Sequence, residues 1–290
     1  MNFYIVDVFA EKKYQGNQLA VFIPQHKISD AEMQKIAKEI NFSETTFIMS
    51  NMNPNGGYDV RIFTPEVELP FAGHPTLGTA FVISKMLEKS ESERMLLNLG
   101  VGQIPVTFMQ DDRCELWMEQ KGPDFGAEIQ PGMIAEILQI NEADINTSYP
   151  IQVISTGLPA VIIPVRTLDA VKKCLINHEQ YQMFLDEITR ASLLVFVPEP
   201  QKQENDLHVR VFMDDKGFLE DPATGSANGN LAGYLLEHNF FNANTIDLRI
   251  EQGYEINRPS LIKVKAEKIT GKFRIQVGGK VFMVASGEWL

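Results

Sequence analysis

With only two cysteines in 290 residues, Cys114 and Cys174, and no Cys-x-x-Cys pair, the chain has neither a disulfide framework nor a thiol redox motif. A reduced compartment and two structural thiols are expected. Positive charge is also scarce: 26 Lys and Arg stand against 38 Asp and Glu, a net charge of -12. Nucleic acid or an anionic membrane surface would need a basic patch to displace counterions, so neither is expected as a partner. A small anionic ligand held by backbone dipoles stays compatible with this balance. No apolar run approaches the roughly 18 to 20 residues needed to span a bilayer. The N-terminus begins on a strand-like run without a cationic leader, so a cytoplasmic protein is expected. His26, His74, His178, His208 and His238 show no metal-ligand spacing, and no metal is expected. Gly-x-x-x-x-Gly-Lys, Gly-x-Gly-x-x-Gly after a strand and Gly-x-Ser-x-Gly are all missing, which weakens nucleotide and serine-hydrolase readings. No low-complexity tract interrupts the chain, so all of it should fold.

What the sequence does contain is a repeat. Gly16 to Ile23 returns as Gly157 to Pro164, Phe42 to Ile48 as Ala191 to Val197, Val60 to Phe63 as Val209 to Phe212, and Ala72 to Ala80 as Glu220 to Asn228. The spacings are 141, 149, 149 and 148 residues. A nearly constant, collinear offset points to two copies of one domain. On this alignment Glu44 is matched by the apolar Leu193, which suggests an asymmetric task, although a solvated Glu at a strand edge fits as well. The boundary is placed near Gly122-Pro123, giving domains 1–121 and 122–279, with the last strand, within 280–290, crossing back to the first.

Fourteen short β-branched or aromatic runs predict strands, and helices are predicted at 29–40 (with Ser29 as cap), 75–87, 131–139, 167–173, 178–190 and 225–238. The fold class expected is α+β. In each copy a Val-Arg-apolar-Phe strand precedes a helix apolar on most faces, which must be surrounded by sheet. Gly225, Gly229 and Gly233, four apart, would let backbone or aromatic side chains approach one stripe of the second helix.

His74-Pro75 and Asp221-Pro222 stand just ahead of these helices. Proline suits a first helical turn, and both helices would present unpaired N–H groups and a positive dipole end. If the copies pack around a pseudo-twofold axis, both ends aim into one cleft and form an anion site. Asp221 serves equally as an N-cap, His74 as a packing residue and Ser226 as a helix-start residue.

Several longer motifs complete the reading. They are Asp7-Val8-Phe9 with Gly16-Asn17, Asn41 to Phe47, Arg61 to Pro65 with Glu68 to Ala80, Glu220 to Ala227, and Gln252 to Ile256 with Arg258-Pro259-Ser260. Together they resemble the PhzF-like phenazine-biosynthesis family, whose fold is that of diaminopimelate epimerase. The resemblance implies two pseudo-symmetric domains, each a curled, barrel-like sheet around a central helix, with the active site between them. It also implies a homodimer that works without cofactor or metal, and an isomerase acting on a small, cyclic carboxylate. In that family the glutamate matching Glu44 moves a proton between two carbons, while the residues matching His74, Asp221 and Ser226 hold and polarise the substrate. Asn17, Ser43, Gly73, Thr224 and Gly225 fall in the same motifs as substrate-binding candidates. Related epimerases and racemases use a cysteine pair at the helix openings. Here those stretches are Ala72-Gly73-His74 and Asp221-Pro222-Ala223, which disfavours a two-base thiol racemase. A catalytically silent binding member is the other alternative.

Overall fold

The computed structural model describes residues 1–54, 56–88, 92–112, 114–215 and 218–290. The chain divides into two compact units, Met1–Glu119 with Gly278–Leu290, and Gln120–Val277. The first contains β1 (Asn2–Val8), β2 (Asn17–Ile23), α1 (Asp30–Ile40), β3 (Glu44–Ile48), β4 (Tyr58–Phe63), β5 (Glu68–Leu69), α2 (Gly73–Met86), β6 (Arg94–Leu99), β7 (Gly102–Phe108) and β8 (Glu115–Gln120). The second contains β9 (Asp124–Ile129), α3 (Pro131–Leu138), β10 (Ile151–Ser155), β11 (Pro159–Pro164), α4 (Leu168–Lys173), α5 (His178–Glu187), β12 (Ser192–Val197), β13 (Leu207–Asp215), β14 (Phe218–Asp221), α6 (Gly225–Glu237), β15 (Thr245–Gln252) and β16 (Ser260–Ile269). A final strand, β17, runs from Lys272 to Glu288.

In the first unit the ladder runs β1–β2–β3–β4–β6–β7–β8, and β17 pairs with both β1 and β8, closing eight strands into a barrel. Helix α2 fills it, with Gly73 through Ile83 all buried. Gly78 permits the fit, since a Cβ there would lie 2.6 Å from Leu19 Cδ2 and 2.9 Å from Val8 Cγ2. In the second unit β9–β10–β11–β12–β13–β15–β16 form the corresponding ladder around α6, again buried along most of its length. A helix apolar on nearly all faces is stable only inside such a sheet. Two glycines of the α6 stripe meet side chains other than the aromatic ring or backbone expected. Gly229 faces Gln120 and Gly233 faces Pro123.

The strand pairings repeat in the two units and correct two of the equivalences read from sequence. Glu44 pairs with Leu19 and Thr45 with Phe63, whereas Ser192 pairs with Ala160 and Leu193 with Phe212. The counterpart of Glu44 is therefore Ser192, not Leu193. Glu68 pairs with Phe63 and Glu220 with Phe212, while Leu69 pairs with Ile62 and Asp221 with Val211. The last segment is thus displaced by four residues from the sequence alignment. Gly225 corresponds to Gly73, Ser226 to His74 and Thr224 to Ala72. Chemistry supports this register, because each unit repeats one charged cluster. Arg61 grips Glu68 with two hydrogen bonds and lies 5.2 Å over the Phe63 ring, and Arg210 grips Glu220 likewise, 4.6 Å over Phe212.

Among the described residues, β5, β6, β9 and β14 had no counterpart in the predicted strands. Met, Leu and Asn dominate β6, which has no β-branched residue, and β9 is exposed along most of its length with a composition that does not alternate. The predicted strands 272–277 and 281–285 are one strand.

A buried charged knot holds β13 to β15. His208, fully buried, places Nδ1 3.1 Å from Glu251 Oε2 and Nε2 3.1 Å from Glu255 Oε1. Glu251 also accepts from the amides of Gln201 and Lys202 and from Asn205 Nδ2. Burial pushes His208 down, but the two carboxylates outweigh it and hold the imidazole above its ordinary value. The carboxyls are pushed up by burial and pulled further down by His208 and their other donors, ending below their ordinary value. The stabilisation from the raised histidine is complete below about pH 6.5 and lost as pH rises through its folded value; that from the lowered carboxyls is complete above about pH 4.5 and lost as pH falls through theirs. The difference in melting temperature between wild type and His208→Gln is therefore expected to shrink as pH is raised above about 6.5. A gap that stays constant or widens on the alkaline side would contradict the imidazolium assignment.

Candidate active site

In the first unit, β3 and α2 bring Glu44 and His74 together. Glu44 is the first residue of β3 and His74 the second of α2, with Glu44 Oε2 3.4 Å from His74 Nε2. Their side chains are 16% and 6% exposed, so the pair is largely withdrawn from water while the carboxyl keeps some access. A hydroxyl contact of 2.8 Å between Thr46 and Thr79 ties the same strand to the same helix. The imidazole bonds the backbone of Gln18, and burial lowers it to about 3, so it is neutral at ordinary pH. Nε2 makes no hydrogen bond, which leaves Nδ1 as the donor to the Gln18 carbonyl. A neutral imidazole donating from Nδ1 carries a lone pair on Nε2. That lone pair faces Glu44, so a proton arriving on the carboxyl finds an acceptor beside it.

The other candidates of this unit surround that pair in sequence. Asn17, buried, opens β2 directly after Gly16, whose φ of +73° puts the position of a Cβ 2.2 Å from Val8 O. Ser43 is half-buried and immediately precedes Glu44. Gly73 is the first residue of α2, and Ala72 at the N-cap supplies no side-chain cap. Pro75 lies inside the helix, as its third residue. The helix thus starts two residues earlier than the proline suggested.

In the second unit the arrangement differs from the sequence reading. Asp221 is not an N-cap but the last residue of β14, and Pro222 lies outside the helix. The N-cap of α6 is Thr224, which makes no side-chain cap bond and instead donates its hydroxyl to Asp221 Oδ2 at 2.5 Å. Its backbone N–H goes to Gln252 Oε1. Both donors of Thr224 are therefore used within the protein, whereas Gly225 and Ser226 open the helix. Thr224, Ser226, Ser192, Gln182 and Arg190 line a cavity of about 390 Å³ whose other walls include the apolar Leu158, Pro159 and Met213. A few polar groups and one cation in a largely apolar cavity of this size suit a small organic ligand bearing an anionic or hydroxyl group.

Two participants were missed in the sequence. Ser192 was hidden by the one-residue error in the repeat alignment. Gln252 lies in one of the motifs that carried the family resemblance, but nothing in its spacing links it to Asp221. Behind both, Gly253 sits at φ +78° with the place of a Cβ 2.5 Å from Arg258 O and 2.6 Å from Pro222 O. Gly253→Ala is expected to destabilise by on the order of 3 kcal/mol, from the left-handed backbone and the two backbone clashes, read as a fall in denaturation midpoint at constant m-value. A loss under about 0.5 kcal/mol would show that the loop adjusts freely.

Neither thiol stands at a helix opening, where the structural counterparts are Ala72 and Thr224. Cys174 is buried, bonds the Ala170 carbonyl and is pushed up to about 12 by burial, which keeps it a thiol. Cys114, half-buried, directly precedes β8. Among the described residues no group of three or more His, Cys, Asp or Glu is placed to hold a metal ion, and no helix is long and apolar enough to cross a membrane.

Comparison with known proteins gives a consistent result. The model of the family described as PhzC-PhzF, phenazine biosynthesis-like protein, matches residues 6–287. A protein of Pasteurella multocida named as an uncharacterized isomerase is 35% identical, over 99% of this chain and 93% of its own. The trans-2,3-dihydro-3-hydroxyanthranilate isomerase of Pseudomonas fluorescens is 32% identical over 96% of this chain and 95% of its own. Among solved structures, a Bacillus anthracis phenazine biosynthesis protein of the PhzF family superimposes with a TM-score of 0.91 at 27% identity, covering 100% of this chain and 99% of that one.

Proposed function

This chain belongs to the PhzC-PhzF family of phenazine biosynthesis-like proteins and is an isomerase of that family, and we propose that it shifts a proton, and with it a double bond, within a small, cyclic, carboxylate-bearing metabolite. Glu44 takes the proton from one ring carbon; the electrons of the broken C–H bond enter the ring, the double bond moves, and Glu44 returns the proton to a second carbon. Substrate and product have the same composition, and the side chains end as they began. The observation that carries this reading is the Glu44–His74 pair. A base that collects a proton from carbon works best when its protonated form is stabilised near neutrality, and the neutral Nε2 lone pair 3.4 Å away does that. Partial desolvation of the carboxyl acts in the same direction.

Gly73 and the opening of α6 at Gly225 and Ser226 supply backbone donors for the substrate carboxylate and for negative charge developing on the ring. Asp221 accepts from a substrate amine or hydroxyl, and Thr224 orients Asp221. Asn17 and Ser43 complete the binding groups next to Glu44. As in the expectation from the family, the chemistry uses neither cofactor nor metal and the working form is a homodimer.

The test uses trans-2,3-dihydro-3-hydroxyanthranilate, the compound in the name of the Pseudomonas fluorescens relative, with a panel of cyclic hydroxy- and amino-carboxylates, followed by proton NMR in heavy water. An isomerised product, with deuterium at the carbon that receives the proton in proportion to exchange at Glu44, is the expected result. No isomerisation of any of these compounds by folded protein would overturn the reading. A narrower check concerns the Ser226 hydroxyl, which lines the cavity: Ser226→Ala, which keeps the backbone N–H, should raise KM by about tenfold with kcat within about twofold, the value of one hydrogen bond to a charged group. An unchanged KM would remove that hydroxyl from the substrate's binding groups and leave only the backbone donor.

A further inference from the structure

We propose that Gln252 is a positioning residue that locks Asp221 and the N-cap Thr224 into one hydrogen-bonded unit and thereby fixes how Asp221 meets the substrate, an inference that rests on the substrate-binding role given to Asp221 above. Gln252 is the last residue of β15 and is fully buried. Its Nε2 donates to the Asp221 carbonyl at 2.8 Å and to Thr224 Oγ1 at 3.0 Å. Its Oε1 accepts from the Thr224 amide at 3.2 Å and from Asn228 Nδ2 at 2.9 Å. Asn228 Nδ2 in turn donates to the Thr224 carbonyl at 3.0 Å, which fixes the orientation of that amide as well.

The orientation of this network is forced. If the Gln252 amide were reversed, its oxygen would face the Asp221 carbonyl and its amino group would face two donors. With Nε2 donating, Thr224 Oγ1 must accept there, and its single proton is directed to Asp221 Oδ2. A glutamine wholly withdrawn from solvent would gain nothing from this arrangement as simple packing, since an apolar residue of the same shape fills space without four bonds to satisfy. The surrounding chain braces the residue on both sides. Gly253 is packed against the Pro222 and Arg258 carbonyls, and Glu251 is held by His208, Asn205 and two backbone amides. Of the charged groups nearby, Asp221 is bonded through Thr224 to Gln252, while Glu251 and Glu255 are both turned to His208.

Gln252→Glu tests this with little change in shape. As a carboxylate, residue 252 cannot donate to the Asp221 carbonyl or to Thr224, and it draws the Thr224 hydroxyl away from Asp221. Buried among acceptors, it takes up a proton as pH falls and recovers one donor. With trans-2,3-dihydro-3-hydroxyanthranilate, KM is expected to rise about tenfold at about pH 8 and to return towards wild type at about pH 5.5, with kcat within about twofold and a melting temperature that is lowered at about pH 8 and recovers on acidification. Thr224→Val should raise KM similarly at both pH values, Thr224→Ser should restore it, and the double variant should add nothing to the single losses, because the two residues act through one bond. Wild-type KM in folded Gln252→Glu at both pH values, or an equal loss at both, overturns the proposal. Should Gln252→Glu not fold, a wild-type KM in Thr224→Val overturns it alone. A second readout needs no turnover. In threonine-labelled wild type the Thr224 hydroxyl proton should exchange slowly enough to be seen by NMR, and the signal should shift in Gln252→Glu at about pH 8, where the hydroxyl turns to the new carboxylate, and move back towards its wild-type position on acidification. If wild type shows that signal but turns over no substrate, the isomerase reading fails and the clamp stands; if the signal is the same in Gln252→Glu, the clamp itself is wrong.

Discussion

Glu44→Gln is expected to lower the rate of isomerisation by about 10³-fold or more with the fold intact, since a positioned acid/base group contributes about 10² to 10⁴ and, in the mechanism proposed, one residue both removes and returns the proton. The substitution keeps the shape of the side chain. The amide can even donate to His74 Nε2 across the same 3.4 Å, so packing of the pair should survive. What it loses is the ability to carry a proton. Deuterium exchange at the labile ring carbon should fall in parallel with product formation. A variant that keeps normal rate and normal exchange would show that some other group moves the proton, and the proposed mechanism would be wrong at its centre.

His74→Phe is expected to cost about 10²-fold in kcat, and its pH–rate profile is the more telling measurement. His74 is lowered to about 3 by burial, so it does not change charge across the working range, and on the proposed mechanism an acidic limb in kcat reports the proton on Glu44. On that mechanism the Nε2 lone pair stabilises the protonated carboxyl. Without it the protonated form is held less well, and the acidic limb should move to lower pH. If His74 were instead a cation that steadied the Glu44 carboxylate, its removal would move the limb to higher pH. The sign of the shift separates the two.

How far the fold could be read from the sequence depended on the kind of signal. The central helices were legible because a helix with Leu77, Ala80, Phe81, Val82 and Ile83 in its middle has no polar face and must lie inside something. The repeat was legible because matching strands carry matching side chains, and the Arg-x-Phe of β4 and β13 holds the same Glu in both units. Exposed strands were not, since β9 buries little and so selects little. The same logic applies to the site. Glu44 and His74 stood out as polar residues in apolar settings, but the register of their counterparts did not, because two serines at the very start of a strand and of a helix, Ser192 and Ser226, leave no pattern by which to align them. Only backbone pairing supplies that register. Gln252 lies 31 residues beyond Asp221, and nothing local to either residue announces that they meet.

The last strand changes the order in which the protein can be completed. Lys272 to Val277 belong to the second unit and Gly278 to Glu288 to the first, where they pair with β1 and β8, and the amino group of Met1 bonds the carbonyl of Trp289. During synthesis the residues of the second unit are all present before the first can close. The half made first must therefore wait, its barrel open at one seam and two strand edges bare, until the Gly278 to Glu288 part of β17 leaves the ribosome.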